Sequence, residues 1–235
     1  MDRGLPPPPH AQRHGDPLAR DATAWALEGV PTDLDPAAAE AWCRRVAASH
    51  YENFTVASRL LPPGIRQDLA NVYAFARWSD DLADEAPSPA AAAVALADWR
   101  RGLESCFAGR PDHPVFVALA GTVRRHGLSI GPFSDLLDAF EEDRAFDAAG
   151  IAVRYPTRGA LLDYCRRSAN PVGRIVLAIG GCRDEGAVAR SDDICTGLQL
   201  VNFWQDVRRD RRAGRVYLPA RSEEHTSELQ SRVDI

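Results

Sequence analysis

Two short acidic segments carry the residue types that could do chemistry. In the first, Tyr73, Arg77, Asp80, Asp81 and Asp84 recur at steps of about three or four around the motif DDLAD, a spacing that gathers polar groups on one face of a helix. In the second, Gln199, Asn202, Asp206 and Asp210 form a similar stripe within NFWQDVRRD. Carboxylates one turn apart repel and cost an isolated helix about a few tenths of a kcal/mol. Two such stripes facing each other would converge their oxygens on a common space. Hard oxygen donors of this kind suit Mg²⁺, which is commonly held between one or two carboxylates and substrate phosphates. Such an ion could neutralise a diphosphate leaving group while a C–O bond ionises. One stripe alone reads as an ordinary solvated helix face, whereas the pair favours the site.

Arg208, Arg209, Arg211, Arg212 and Arg215 follow the second stripe and precede Val216-Tyr217-Leu218-Pro219. Arginine pairs bidentately with phosphate oxygens, so the cluster suits a polyphosphate, and it equally suits the negative end of a helix dipole. Tyr164 to Gly173 (YCRRSANPVG) interrupts a helical pattern with Asn-Pro and Gly, where a kink admits close approach to the backbone; a plain helix break is the simpler reading. His50, Tyr51, Glu52, Asn53 and Phe54 join two early helices and are weak evidence alone.

The elements that must position these groups read as helices throughout. Pro or a capping residue opens most of them, and the pattern predicts helices at 36–48, 52–60, 64–84, 89–108, 113–126, 132–147, 158–180 and 187–210. The single extended candidate, 151–155, is too short and isolated for a sheet. The expected fold class is therefore all-α. Residues 1–34, with Pro6 to Pro9 in succession, read as a disordered leader with at most a helical turn near Trp25.

The 235 residues are 45% hydrophobic and 26% charged, with a net charge of −5, which bounds the chain to one or two globular domains needing neither disulfides nor a structural metal. All 28 basic residues are Arg, a compositional bias without mechanistic weight. The acidic balance supplies no general field for nucleic acid, and the Arg cluster lacks interleaved aromatics, so no nucleic-acid partner is expected. Five scattered cysteines with no CxxC spacing read as reduced thiols rather than a disulfide framework or zinc site. Neither a signal peptide nor a membrane span is evident, so the expected location is cytoplasmic, with peripheral contact to the inner membrane admitted by an apolar substrate.

From about Ala41 to Pro219 the sequence resembles the squalene and phytoene synthase family, on the strength of the paired acidic motifs. HYENF (His50 to Phe54) and YCRRSANPVG (Tyr164 to Gly173) resemble the hydroxysqualene-forming branch, since relatives usually carry His-Ser-x-Ser-Phe at the former. The resemblance implies a single-domain type I isoprenoid synthase fold over 35–220. It implies Mg²⁺ and diphosphate at Asp80, Asp81, Asp84, Asn202, Asp206 and Asp210, with Tyr73, Arg77 and Gln199 lining the same site. Arg215 would reach the diphosphate, while Tyr164, Val172 and Gly173 would border the prenyl pocket, with His50, Glu52, Asn53 and Phe54 near it. The implied reaction converts presqualene diphosphate and water to hydroxysqualene and diphosphate, with no NADPH. Aromatic faces at Phe54, Tyr164 and Trp204 could steady the cation, and Glu52, Tyr51 and Asn53 are candidates by location for positioning the water. The alternatives are condensation of two prenyl diphosphates, as in squalene, dehydrosqualene or phytoene synthases, and a noncatalytic relative. Residues 221–235 (RSEEHTSELQSRVDI) contain no Ala, Gly or Pro and resemble a translated sequencing adapter. They are expected to be a non-native tail replacing the last helices, which would impair activity.

Overall fold

The computed structural model describes residues 35–49 and 61–219. The leader, the expected helix 52–60, residues His50, Glu52, Asn53 and Phe54, and the segment 221–235 lie outside the described residues. Eight α-helices occur among those described: α1 (Pro36–Ser49), α2 (Pro63–Asp84), α3 (Pro89–Phe107), α4 (Pro114–His126), α5 (Gly131–Ala148), α6 (Arg158–Ser168), α7 (Asn170–Ile179) and α8 (Glu185–Arg212). The architecture is all-α, as the sequence predicts.

Local chemistry sets the boundaries. Proline at the first positions of α2 to α5 and α7 needs no amide partner there. The side chains of Ser88, Thr157 and Asp184 accept from the amides of Ala91, Ala160 and Ala187 to cap α3, α6 and α8. His113 does the same for α4, its Nδ1 accepting from the amide of Val115 at 3.2 Å. Gly127, at φ +59°, ends α4 in the left-handed conformation that an L side chain disfavours.

The helix expected over 158–180 is instead two, α6 and α7. Ala169 leaves helical geometry at φ −123°, and Pro171 has no amide hydrogen to continue the ladder. The extended segment around Val153 forms an isolated parallel bridge with Val216. The amide of Arg154 donates to Val216 O at 3.0 Å, and that of Val216 donates to Ala152 O at 2.8 Å. This bridge ties the chain after α8 back to the chain before α6, fixing Arg215 and Tyr217.

Two apolar clusters hold the helices. The larger joins α1 to α5 with Ile175 and Ile179 of α7 around Phe75, Trp99, Phe116 and Phe133. Trp99 stacks on Trp78 at 5.8 Å between centroids and donates to Ser79 Oγ at 2.9 Å, so its polar edge is satisfied inside the core. The smaller joins α5, α6 and α8 through Ala139, Tyr155, Leu161, Tyr164, Cys165, Phe203 and Tyr217, with Phe203 and Tyr217 stacked at 4.5 Å. Every described cysteine is a free thiol. Burial pushes Cys43 and Cys106 up to about 12, which makes them packing groups rather than nucleophiles.

Candidate active site

The two acidic stripes meet. The C-terminal half of α2 and the middle of α8 border one cavity of about 280 Å³, whose wall includes Asp80, Asp84, Gln199, Asn202, Asp206, Asp210, Tyr164 and Arg215. The third wall is α5, with Leu136, Ala139, Phe140, Asp143 and Arg144.

Within the first stripe the structure separates the acids. Asp80 and Asp84 keep 39% and 47% of their side-chain surface exposed at the cavity. Asp81 keeps only 12% and turns to Arg77, which reaches it at 2.5 Å and 3.2 Å from two nitrogens. Burial drives the Asp81 carboxyl up to about 7 against the pull of Arg77. Neither Arg77 nor Asp81 lines the cavity, and Tyr73 packs against the larger apolar cluster.

On α8, Arg209 pairs with Asp206 at 3.1 Å and approaches Asp210 at 3.9 Å. Burial raises the Asp210 carboxyl, with Arg209 opposing. Phe203 lines the cavity, but Trp204 is 65% exposed on the outer face. Among the described residues, Trp204 is not part of either apolar cluster or of the cavity wall. Val172 is 44% exposed and, like Gly173, is absent from the cavity wall; Gly173 marks the contact of α7 with α8. A Cβ at Gly173 would stand 2.3 Å from Ser191 Oγ and 2.7 Å from Cys195 Sγ.

A cluster of arginines closes the site. Arg144 reaches Asp84 at 3.1 Å and Asp147 at 2.9 Å, and Arg215 reaches the same two carboxylates at 3.4 and 3.0 Å. Arg154, whose side chain is fully buried, also pairs with Asp147. Despite burial, these three guanidinium groups hold the Asp147 carboxyl below its ordinary range. Asp147 thus fixes Arg144 and Arg215 beside the carboxylates of the first stripe.

Asp143, Arg144 and Ser168 are absent from the sequence-predicted site. For Asp143 and Arg144 the signal was the progression Phe140, Asp143, Arg144, Asp147 along one face of α5, masked by the charged run EEDR that reads as solvated. Buried polar atoms without partners accumulate here: Asp143 Oδ1, Ser168 Oγ, Arg144 Nε and Arg215 Nε. Such atoms are uncommon in folded proteins, and on a cavity wall they suit a polar ligand. Among the described residues no three His, Cys, Asp or Glu side chains gather closely enough to enclose an ion alone. The exposed donors Asp80, Asp84, Asn202 and Asp206 instead fit an ion that completes its shell with water and phosphate oxygens.

Residues 47–230 match the family model described as squalene/phytoene synthase. The chain belongs to the squalene/phytoene synthase family. It is 34% identical over 190 residues to a phytoene synthase of Arthrospira platensis, covering 75% of this chain and 60% of the relative. It is 37% identical over 172 residues to a hydroxysqualene synthase of Zymomonas mobilis, covering 72% and 55%. The chain thus spans less than two thirds of the length of these relatives. Among solved structures, a squalene synthase from Alicyclobacillus acidocaldarius superposes with a TM-score of 0.70 at 39% identity, covering 83% of this chain and 70% of the other. Family membership accounts for the all-α fold. No helix among the described residues is long and apolar enough to cross a membrane.

Proposed function

We propose that the protein is a prenyl diphosphate synthase that ionises presqualene diphosphate and lets water capture the cation, giving hydroxysqualene and diphosphate. The observation that carries this reading is the convergence of Asp80, Asp84, Asn202, Asp206 and Asp210 with Arg144 and Arg215 on one cavity. The similarity to the Zymomonas mobilis hydroxysqualene synthase and the residues YCRRSANPVG favour the hydration branch. The phytoene synthase and the Rhodopseudomonas palustris presqualene diphosphate synthase among its relatives keep condensation of two prenyl diphosphates as the second reading.

Asp80, Asp84, Asn202, Asp206 and Asp210 would hold Mg²⁺, which when bound offsets the charge growing on the departing diphosphate. Arg144 and Arg215 are placed to take diphosphate oxygens bidentately, and Gln199 adds a neutral donor on the same wall. The apolar portion of the wall, Leu136, Ala139, Phe140 and Phe203, borders the space for the prenyl carbons. Tyr164 presents an electron-rich ring beside it, suited to a carbocation. None of these steps requires nicotinamide.

The test is incubation of the chain, carrying native C-terminal sequence in place of residues 221–235, with Mg²⁺ and either presqualene diphosphate or farnesyl diphosphate, without NADPH, and identification of products by mass. Hydroxysqualene from presqualene diphosphate supports the proposal. Presqualene diphosphate or a C30 polyene from farnesyl diphosphate moves the protein to the condensing branch, and binding without turnover of either supports a noncatalytic relative.

A further inference from the structure

Asp143 is the one acid on the cavity wall that the paired motifs do not include. It sits on α5, 8% exposed, opposite Tyr164 of α6, which is 5% exposed. The Tyr164 hydroxyl donates to Asp143 Oδ2 at 2.7 Å. Oδ1 has no hydrogen-bond partner at ordinary geometry, although Tyr217 also bears on the carboxyl, and burial raises this acid against the pull of both phenols and of Arg154. Arg154 approaches only the backbone of Asp143, its Nη1 donating to the carbonyl at 2.9 Å. Nη2 of the same guanidinium pairs with Asp147. Asp143 therefore makes no direct ion pair with the arginines that brace Asp84, although Arg154 and Arg215 are near enough to favour its charged form.

This arrangement determines which way the Tyr164 hydroxyl points. A phenol has one hydrogen and two lone pairs. With its hydrogen directed at Asp143 Oδ2, Tyr164 leaves for the cavity its oxygen lone pairs and the part of the ring not packed on Tyr155, Phe203 and Tyr217. A hydrogen bond to a carboxylate is stronger than one to a neutral acceptor and leaves the phenol richer in electrons. An electron-rich aromatic face is what a passing carbocation requires. Were the acceptor missing, the hydroxyl would be free to turn its hydrogen toward the diphosphate or the cation, and its dipole would then oppose the developing charge.

We propose that Asp143 is a positioning residue of the prenyl pocket, acting through Tyr164 to aim the hydroxyl dipole so that the ring and oxygen stabilise the cationic intermediate. This rests on the reading of the cavity as a prenyl diphosphate site and deepens it. It does not depend on which product the cation yields.

The experiment is steady-state kinetics with Mg²⁺ and presqualene or farnesyl diphosphate on the full chain, comparing Asp143→Leu, Asp143→Asn, Tyr164→Phe and the Asp143→Leu/Tyr164→Phe double variant. Asp143→Leu removes the acceptor, and Asp143→Asn keeps a weaker, neutral one. The expected result is a kcat lowered roughly 30-fold or more by Asp143→Leu and by Tyr164→Phe, with KM within about threefold, and a double variant no worse than about threefold below either single. Asp143→Asn falls between wild type and Asp143→Leu. A kcat for Asp143→Leu near wild type, or losses that multiply in the double variant, would overturn the proposal. If Asp143→Leu does not fold, the Asp143→Asn loss is measured in both backgrounds: it disappears when Tyr164 is Phe if Asp143 acts through the hydroxyl, and persists if its role is merely structural. The rates are compared on whatever prenyl product the wild type forms, so a condensed product would defeat the hydration reading while leaving the Asp143–Tyr164 pair tested.

Discussion

Asp81 and Asp84 stand three residues apart on α2 and meet different physics. Asp84 faces the cavity beside Arg144 and Arg215, whereas Asp81 is tucked against Arg77. Substituting Asn at Asp84 or Asp206 should therefore act on the reaction, lowering kcat/KM by roughly 100-fold or more if a few kcal/mol of charge stabilisation is lost, with little change in melting temperature. Asn at Asp81 should do the reverse. It leaves the mostly buried Arg77 with only the more distant Asp80, at 3.6 Å, as counter-charge; breaking a buried pair outright typically costs about 3–5 kcal/mol, and the loss is less here because Asp80 remains and the pair is not fully enclosed. Thermal melts and kinetics of the three variants side by side would check this split, and a greater activity loss for Asp81→Asn than for Asp84→Asn would refute it. The helical period showed that these acids share one stripe; it could not show which of them turns outward. That depends on the packing of α2 against its neighbours, as does the exposure of Trp204, whose apolar character is shared with the buried Phe203 beside it.

At the scale of elements, the helix starts were legible because proline and capping side chains act locally, and the two neighbouring breakers Asn170 and Pro171 signalled the division that became α6 and α7. The long-range polar ties were not legible. Asp68 of α2, 3% exposed, accepts from Thr122 Oγ1 at 2.9 Å, pairs with Arg125 and meets His126 Nε2 at 2.7 Å, all from α4. Nothing local distinguishes it from a surface acid. Tight approach between helices was equally hidden. A Cβ at Gly102 of α3 would lie 2.3 Å from Cε2 of the fully buried Phe116 ring, and a ring wedged among Phe75, Trp99 and His113 cannot step aside. Gly102→Ala should cost about 2 kcal/mol through overpacking, a fall in melting temperature of roughly 4–8 °C; a melt unchanged from wild type would refute the clash. The cap of α4 carries a pH signature as well. Burial lowers the His113 pKa from 6.5 to about 3, so the unfolded chain takes up a proton before the folded one does. The contribution of neutral His113 is complete above pH 6.5 and declines as pH falls from there toward 3. His113→Asn retains a capping acceptor without the titration, and its melting temperature should vary less across that window than that of the wild type.

At the scale of the whole molecule, the site is assembled from opposite charges that already satisfy one another. Asp84 is engaged by Arg144 and Arg215, and Asp206 by Arg209. In the proposed site, Mg²⁺ added alone would have to draw Asp84 and Asp206 away from their guanidinium partners, leaving those arginines with reduced compensation. Inorganic diphosphate added alone draws the arginines away from the carboxylates and meets uncompensated negative charge on α2 and α8. Added together, each supplies the charge that the other displaces, so their binding should be positively coupled. A ligand that binds only the folded state stabilises it by RT ln(1 + [L]/Kd), about 2.7 kcal/mol at 100 times Kd. The expected outcome is a rise in melting temperature with Mg²⁺ plus diphosphate that exceeds the sum of the rises with each alone. The excess should shrink in Asp84→Asn and in Arg215→Ala, because each removes one side of the exchange. Strictly additive shifts would mean that metal and anion bind at separate places, and the convergence of α2, α5 and α8 would then need another explanation. The same logic joins the bridge between Val153 and Val216 to the proposed chemistry, since that tie holds Arg215 beside Asp84 and Asp147, where in the proposed site it would trade a carboxylate for a phosphate.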